Sequence, residues 1–294
     1  MGKTREIKKR IKAVGNIQRI TRTMQMIATS KFAKAQNRAV ATKPYTEGVF
    51  ELVTKLAASS GELSHPLVDG PAEGTRAGAG ELTLIITSDR GLCGPYNANV
   101  LRLAMRQVRG LSGDPTTELI GRKGANALKF NGIDVSKQIV VGGEPAFEEI
   151  ERIAERYMEL FVSGEVSAVR VVYMRFISAG RQVPEVLQLL PLKAPTSDEA
   201  GPQDAGSGNQ LYEFSPPAEE LLGELLPSTV KATLYQAISD AIVSEHVARM
   251  VAMKAATDNA GKMRKLLKRT FNRARQAQIT TELSEIISGA AALE

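Results

Sequence analysis

The sequence predicts a mixed α/β protein: a Rossmann-like middle domain joined to a long antiparallel coiled coil made by the N- and C-terminal helices. Both chain ends carry apolar residues at helical spacing, over about 50 and about 60 residues. The middle alternates segments rich in β-branched residues with helical segments, which is typical of βαβ units and a parallel sheet. Helices of about 75 and about 90 Å are too long to lie on a domain about 40 Å across, so their apolar stripes must cover each other.

The N-terminal shaft helix is predicted over residues 1–57, with Thr4 as its N-cap and a kink at Pro44. Its apolar residues follow at steps of three or four, close to the 3.5-residue repeat of a coiled-coil seam. The predicted seam consists of Ile7, Ile11, Val14, Ile17, Ile20, Met24 and Ile27. We expect Ile20 and Met24 to lie against the C-terminal helix.

The α/β foot domain is predicted over residues 58–227. Its β-branched segments predict strands at residues 81–89, 117–121, 136–143 and 168–176. The segment RQVPEVLQLLPL is expected to add a strand at the sheet edge, because Pro184 is disfavoured inside a sheet. The polar Pro/Gly/Ser-rich residues 194–210 are expected to form a mobile loop.

The C-terminal shaft helix is predicted over residues 228–294. Between Ser228 and Ile287 there is no proline, and the only glycine is Gly261. Alanines crowd the segment VARMVAMKAATDNAGKM, so a neighbouring backbone can approach closely there.

The charge of the chain is unevenly distributed. Residues 1–56 carry 13 Lys or Arg and three acids (+10), residues 57–227 carry 15 and 23 (−8), and residues 228–294 carry ten and six (+4). Residues 259–281 contain seven basic residues and no acid. Such an asymmetry concerns partners rather than fold. It fits a solvated basic face, a nucleic-acid-binding coiled coil or a protein socket lined with carboxylates. Few aromatic residues and the absence of a common DNA-binding module disfavour nucleic acid.

The sequence offers no clear catalytic or metal-binding constellation. Cys93, His65 and His246 are scattered and form neither a metal-site pattern nor a Cys–His dyad. The motif TSDRGLCGPYNAN follows a strand and opens a helix, but it matches no phosphate-binding fingerprint, so we interpret it as a tight turn. A nucleotide enzyme using this turn is the alternative. No apolar run is long enough to span a membrane. We expect no catalytic site, cofactor or metal.

Two long segments carry a family resemblance. REIKKRIKAVGNIQRITRTMQMIATSKFAKAQ near one end and ARMVAMKAATDNAGKMRKLLKRTFNRARQAQITTELSEIISGAAAL near the other resemble the γ subunit of F-type ATP synthases, as do SDRGLCG and QVPEVLQLLPL in the middle. Two departures from the family pattern are Pro95, where a second glycine is usual, and the strongly basic KMRKLLKRTFNRARQ.

The resemblance implies a central-stalk rotor that couples ion flow through a membrane ring to ATP synthesis or hydrolysis. Its partners would be three α and three β subunits, the ε subunit and the ring of c subunits. Membrane association would come only through these partners, at the cytoplasmic side of a bacterial plasma membrane.

The resemblance also implies the residues that contact the ring of α and β subunits. Acidic loops of the β subunits would face Met24, Lys31 and Lys34. Family positions at the shaft contacts match Arg249, Arg275, Gln276 and Thr280. The basic stretch adds Lys262, Arg264, Lys265, Lys268 and Arg269 as partners of carboxylates on the ring.

Overall fold

The computed structural model describes residues 2–60, 65–70, 79–111, 114–192 and 218–291. The loop predicted at residues 194–210 lies outside them. The helices are α1 (Gly2–Ser60), α2 (Pro66–Asp69), α3 (Tyr96–Arg109), α4 (Ala125–Phe130), α5 (Phe147–Val162) and α6 (Ala218–Ala291). The strands are β1 (Glu81–Ile86), β2 (Thr116–Ile120), β3 (Lys137–Ile139), β4 (Ala168–Ser178) and β5 (Arg181–Leu190).

The chain forms two compact units, and both long helices contribute to each. We call residues 31–248 the α/β unit, and residues 1–30 with residues 249–294 the coiled-coil unit.

A five-stranded sheet organises the α/β unit, in the order β3-β2-β1-β4-β5. The first four strands are parallel, and β5 runs antiparallel to β4. Successive strand residues point to opposite faces, so Leu84 and Ile85 belong to two different buried clusters. Pro184 lies in the edge strand β5, opposite Met174. The mixed α/β fold and the edge strand are therefore confirmed.

The sheet is held at its carboxyl edge by a close approach of two loops. The Thr87 amide donates to the Ile120 carbonyl at 2.8 Å. At Gly121, φ is +90°, and a Cβ atom there would lie 2.1 Å from the Thr87 carbonyl oxygen. Only glycine fits this backbone conformation and this spacing.

The start of each long helix differs from the prediction. Helix α1 starts at Gly2, so Thr4 is not its N-cap; its hydroxyl instead donates to Gln278 Oε1 at 3.0 Å. Helix α6 starts at Ala218 and contains Pro227. A proline inside a helix loses one backbone hydrogen bond. Here the flanking Leu222 and Leu226 are buried in the core of the α/β unit, which offsets that loss.

Candidate functional site

Side-chain hydrogen bonds fix the pairing of α1 with α6 in the coiled-coil unit. Three of them join Thr4 to Gln278 at 3.0 Å, Gln18 to Arg264 at 3.5 Å, and Thr21 to Thr257 at 2.8 Å. Residue numbers rise along α1 as they fall along α6. The predicted antiparallel coiled coil is therefore confirmed.

The path of the seam differs from the predicted one after Val14. The shielded side of α1 continues as a strict heptad, through Gln18, Thr21 and Ala28, of which Thr21 and Ala28 are buried. Ile20 is 57% exposed, so the prediction that it packs against the C-terminal helix was wrong. The polar seam residues bond across the interface, which removes the need for an apolar residue at each position.

Small residues on α6 leave room for a side chain of α1. Ala260 is buried, and a Cβ atom at Gly261 would lie 3.0 Å from Gln18 Nε2. The Gln18 side chain thus packs directly on this segment, while the predicted close approach of a neighbouring backbone stays a prediction.

Apolar residues that leave the seam form a second row on α1. We call Ile17, Ile20, Met24 and Ile27 the apolar stripe. They follow at steps of three or four residues; Met24 is half-buried and the three isoleucines are each more than half exposed. Further along α6, Ile279, Leu283, Ile286 and Ile287 are also exposed. Exposed rows of apolar residues of this kind are frequent where one protein contacts another.

A basic face lies on α6 opposite the seam. It consists of Lys262, Lys265, Arg269 and Arg273, which repeat at steps of three or four residues and are all exposed. Gln276 and Thr280 continue the same row. None of the seven basic residues between positions 259 and 281 forms an ion pair with any residue that the structure describes. Their charge is left for solvent or a partner.

The remaining predicted contact residues are distributed over both units. Arg264, Lys268 and Arg275 are exposed on α6 nearer the seam, and Arg249 is half-buried. Lys31 and Lys34 are exposed on the part of α1 that belongs to the α/β unit. Their contacts with a partner stay predictions.

The motif after β1 is a turn held by its own side chains. The Ser88 amide donates to Asn97 Oδ1 at 3.0 Å, and Asn97 Nδ2 donates to the buried Cys93 sulfur at 3.3 Å. The Ser88 hydroxyl donates to the Arg90 carbonyl at 2.8 Å. These polar groups therefore serve the turn itself.

A buried carboxylate inside the α/β unit escaped the sequence analysis. Glu118 on β2 accepts from Arg156 Nη1 and from the Tyr157 hydroxyl, both at 2.8 Å, and its side chain is 4% exposed. Burial, and then the neighbouring Glu118 charge, raise the pKa of Tyr157 well above its usual range. The hydrogen bond to Glu118 raises the pKa of Arg156. A single Glu within a short strand gives no signal of this pairing.

The described parts of the chain contain neither a metal-ligand cluster nor a helix suited to crossing a bilayer. No three His, Cys, Asp or Glu side chains there are grouped so that they could hold a metal ion. Within the same residues, no helix combines the length and the apolar character needed to cross a bilayer.

Known sequences similar to this chain agree on one family. A family model described as ATP synthase matches residues 3–293. The ATP synthase gamma chain of Rhodopirellula baltica is 41% identical over the full length of both chains. That of Heliobacterium modesticaldum is 39% identical, with 98% of each chain covered.

Solved structures agree on the fold. A chain of the Euglena gracilis mitochondrial ATP synthase, from a structure of its OSCP, F1 and c-ring parts, has a TM-score of 0.68 and 21% identity, covering 99% of this chain and 95% of that one. A chain from the central stalk and c-ring of the Tetrahymena thermophila enzyme gives 0.58 and 21%, covering 81% and 99%.

Proposed function

Because this chain belongs to the ATP synthase gamma-chain family, we propose that it is the central-stalk rotor subunit of an F-type ATP synthase. It couples ion flow through the membrane ring to ATP synthesis or hydrolysis on the α and β subunits. The observation that carries this role is the coiled-coil unit, whose exposed apolar stripe and unneutralised basic face suit a surrounding protein surface.

The two surfaces give the rotor its asymmetry. The apolar stripe runs along α1 beside the seam, while the basic face lies on α6 on the side away from the seam. As the rotor turns, each β subunit meets these surfaces in succession. A site that binds nucleotide differently at each shaft angle must in turn bias the shaft angle, since coupling between two equilibria is reciprocal.

Charge specifies the partner surface. The basic face gains nothing from acids within the described chain, so carboxylates on the ring are its natural counterparts. Met24, Lys31, Lys34 and Arg249 would extend the contact. Arg275, Gln276 and Thr280 would extend it further along α6.

The other partners are the ε subunit and the ring of c subunits, which receive the α/β unit. The chain is held at the cytoplasmic side of a bacterial plasma membrane through these partners. It supplies no catalytic group, binds no cofactor and makes no contact with nucleic acid. The turn after β1 supports the absence of nucleotide chemistry, because Ser88 and Asn97 already bond within the turn.

Co-purification combined with turnover tests this function. The tagged chain should bring down three α and three β subunits with ε, and the assembly should hydrolyse ATP while the isolated chain does not. Recovery of the chain without these subunits, or ATP turnover by the chain alone, would contradict the rotor assignment. Binding of duplex DNA at physiological salt would favour the nucleic-acid alternative, which no specific observation in the described residues supports.

A further inference from the structure

A cavity of about 420 Å³ lies within the α/β unit. One wall is α1, with Lys31, Ala35 and Arg38 at steps of four and three residues. A second wall is α6, and the third is the loop that follows β3. The volume falls within the range of small-molecule sites.

Hydrogen-bond donors dominate this cavity. Lys31 forms no hydrogen bond or ion pair with any residue that the structure describes, so its ammonium group is available. On α6, Tyr235 and Ser239 line the cavity, and neither hydroxyl has a hydrogen-bond partner among the described residues. Both hydroxyls can therefore donate to a ligand that accepts hydrogen bonds.

The loop after β3 adds backbone donors. Gly142 and Gly143 line the cavity and are exposed. No hydrogen bond within the described chain uses either amide. Without side chains, the two residues leave their N–H groups open to a ligand.

One carboxylate opposes the donors. Glu144 Oε2 lies 3.2 Å from Arg38 Nη2, and it is the only acidic residue among the described residues that line the cavity. The Glu144 side chain is 63% exposed, so it can turn towards solvent at little cost. Arg38 would then present its guanidinium to the cavity.

From this arrangement we propose that the cavity between Lys31, Arg38 and the Gly142–Gly143 turn binds a phosphate group. Donors converge from three walls, and a tetrahedral oxyanion has acceptor oxygens for all of them, whereas a planar carboxylate has two. The phosphate could be free or carried by a nucleotide. Lys31 also belongs to the proposed ring contact, so the site is tested on the isolated chain, where no ring subunit competes for its charge. Failure of phosphate binding there would leave the rotor role standing.

Calorimetric titration of the full-length chain with sodium phosphate, at constant ionic strength, tests the proposal. We expect saturable binding of one phosphate. Lys31→Gln should weaken it about tenfold or more, because a charge-assisted hydrogen bond is lost. Glu144→Gln should tighten it, because the competing carboxylate is removed. The matched control is Lys129→Gln, which removes the same charge from an exposed position on α4 and should leave phosphate binding unchanged.

Parallel titrations with AMP and acetate separate the sources and the chemistry. Tighter binding of AMP than of phosphate would identify a nucleotide as the carrier, and equal or weaker binding would identify free phosphate; both support a phosphate site. The proposal is overturned if phosphate does not saturate, if acetate binds as tightly, or if Lys129→Gln weakens binding as much as Lys31→Gln. Circular dichroism of each variant checks that the fold is retained.

Discussion

Neutralising the basic face should weaken assembly without weakening the chain. The triple variant Lys262→Gln, Lys265→Gln, Arg269→Gln removes three exposed charges that have no ion-pair partner in the described chain. An exposed ion pair contributes about 0.2–1 kcal/mol. Three pairs with ring carboxylates therefore give about 0.6–3 kcal/mol, or about three- to 150-fold in the dissociation constant. The thermal midpoint of the isolated chain should stay constant or rise slightly, because three like charges no longer repel one another.

The assay is binding of the full-length chain to the ring of α and β subunits, measured over a series of NaCl concentrations. The difference between wild type and variant should shrink as salt rises, because exposed pairs are screened beyond about 8 Å at physiological ionic strength. The matched control replaces Arg102, Arg106 and Arg109 on α3, which are also exposed, with Gln. Equal weakening by the two triple variants, or weakening by neither, would show that the basic face is merely solvated.

Three further outcomes follow from the described contacts. Glu118→Ala should lower the free energy of unfolding by about 3 kcal/mol, because the half-buried Arg156 and the buried Tyr157 lose their partner. The more exposed control Glu185→Ala should cost less than about 1 kcal/mol in the same urea titration, and similar costs would refute a stabilising network. Thr21→Cys with Thr257→Cys should form an intramolecular disulfide on mild oxidation, and crosslinks only between chains would contradict the antiparallel register. Stability should fall as the pH rises above about 10. The unfolded chain releases the Tyr157 proton there, whereas the folded chain keeps it because the pKa of Tyr157 is raised. Denaturant midpoints that do not change between pH 9 and about 11 would contradict this.

The α/β fold could be predicted because its signals are local. Each strand is a short β-branched run, and each intervening helix has its own periodicity, so a single window of sequence suffices. The edge position of β5 followed from one residue, Pro184, whose missing N–H is tolerated at a sheet edge.

The coiled-coil seam was harder because its decisive contacts are polar. Ile17 and Ile20 continue the apolar spacing of Ile7, Ile11 and Val14, and this spacing suggested that they belong to the seam. The heptad instead passes through Gln18 and Thr21, whose partners lie more than 200 residues away. An apolar-only pattern cannot detect such pairs.

The cavity could not be predicted from the sequence, because its lining residues are far apart in the chain. Lys31 and Arg38 look like any other charges on a long helix, and Ser239 looks like a residue of a buried helical face. Only the tertiary fold brings them to the glycine turn after β3.

Pro227 shows a second effect of tertiary packing. It lies half-buried inside α6 next to the buried Leu226, so packing allows the helix to continue through a residue that would end a helix in isolation.

The pairing of α1 with α6 has a consequence for how the chain folds during synthesis. Thr21 and Thr257 are 236 positions apart. At about 5–20 residues per second, a ribosome needs roughly 10–50 s to cover that distance. Throughout that interval Ile7 and Ala28 have no helix to cover them, so the nascent N-terminal segment is a natural client for chaperones. Folding of residues 31–248 then shortens the loop that remains to be closed, which lowers its entropic cost. The first residues translated are thus among the last to reach their native contacts.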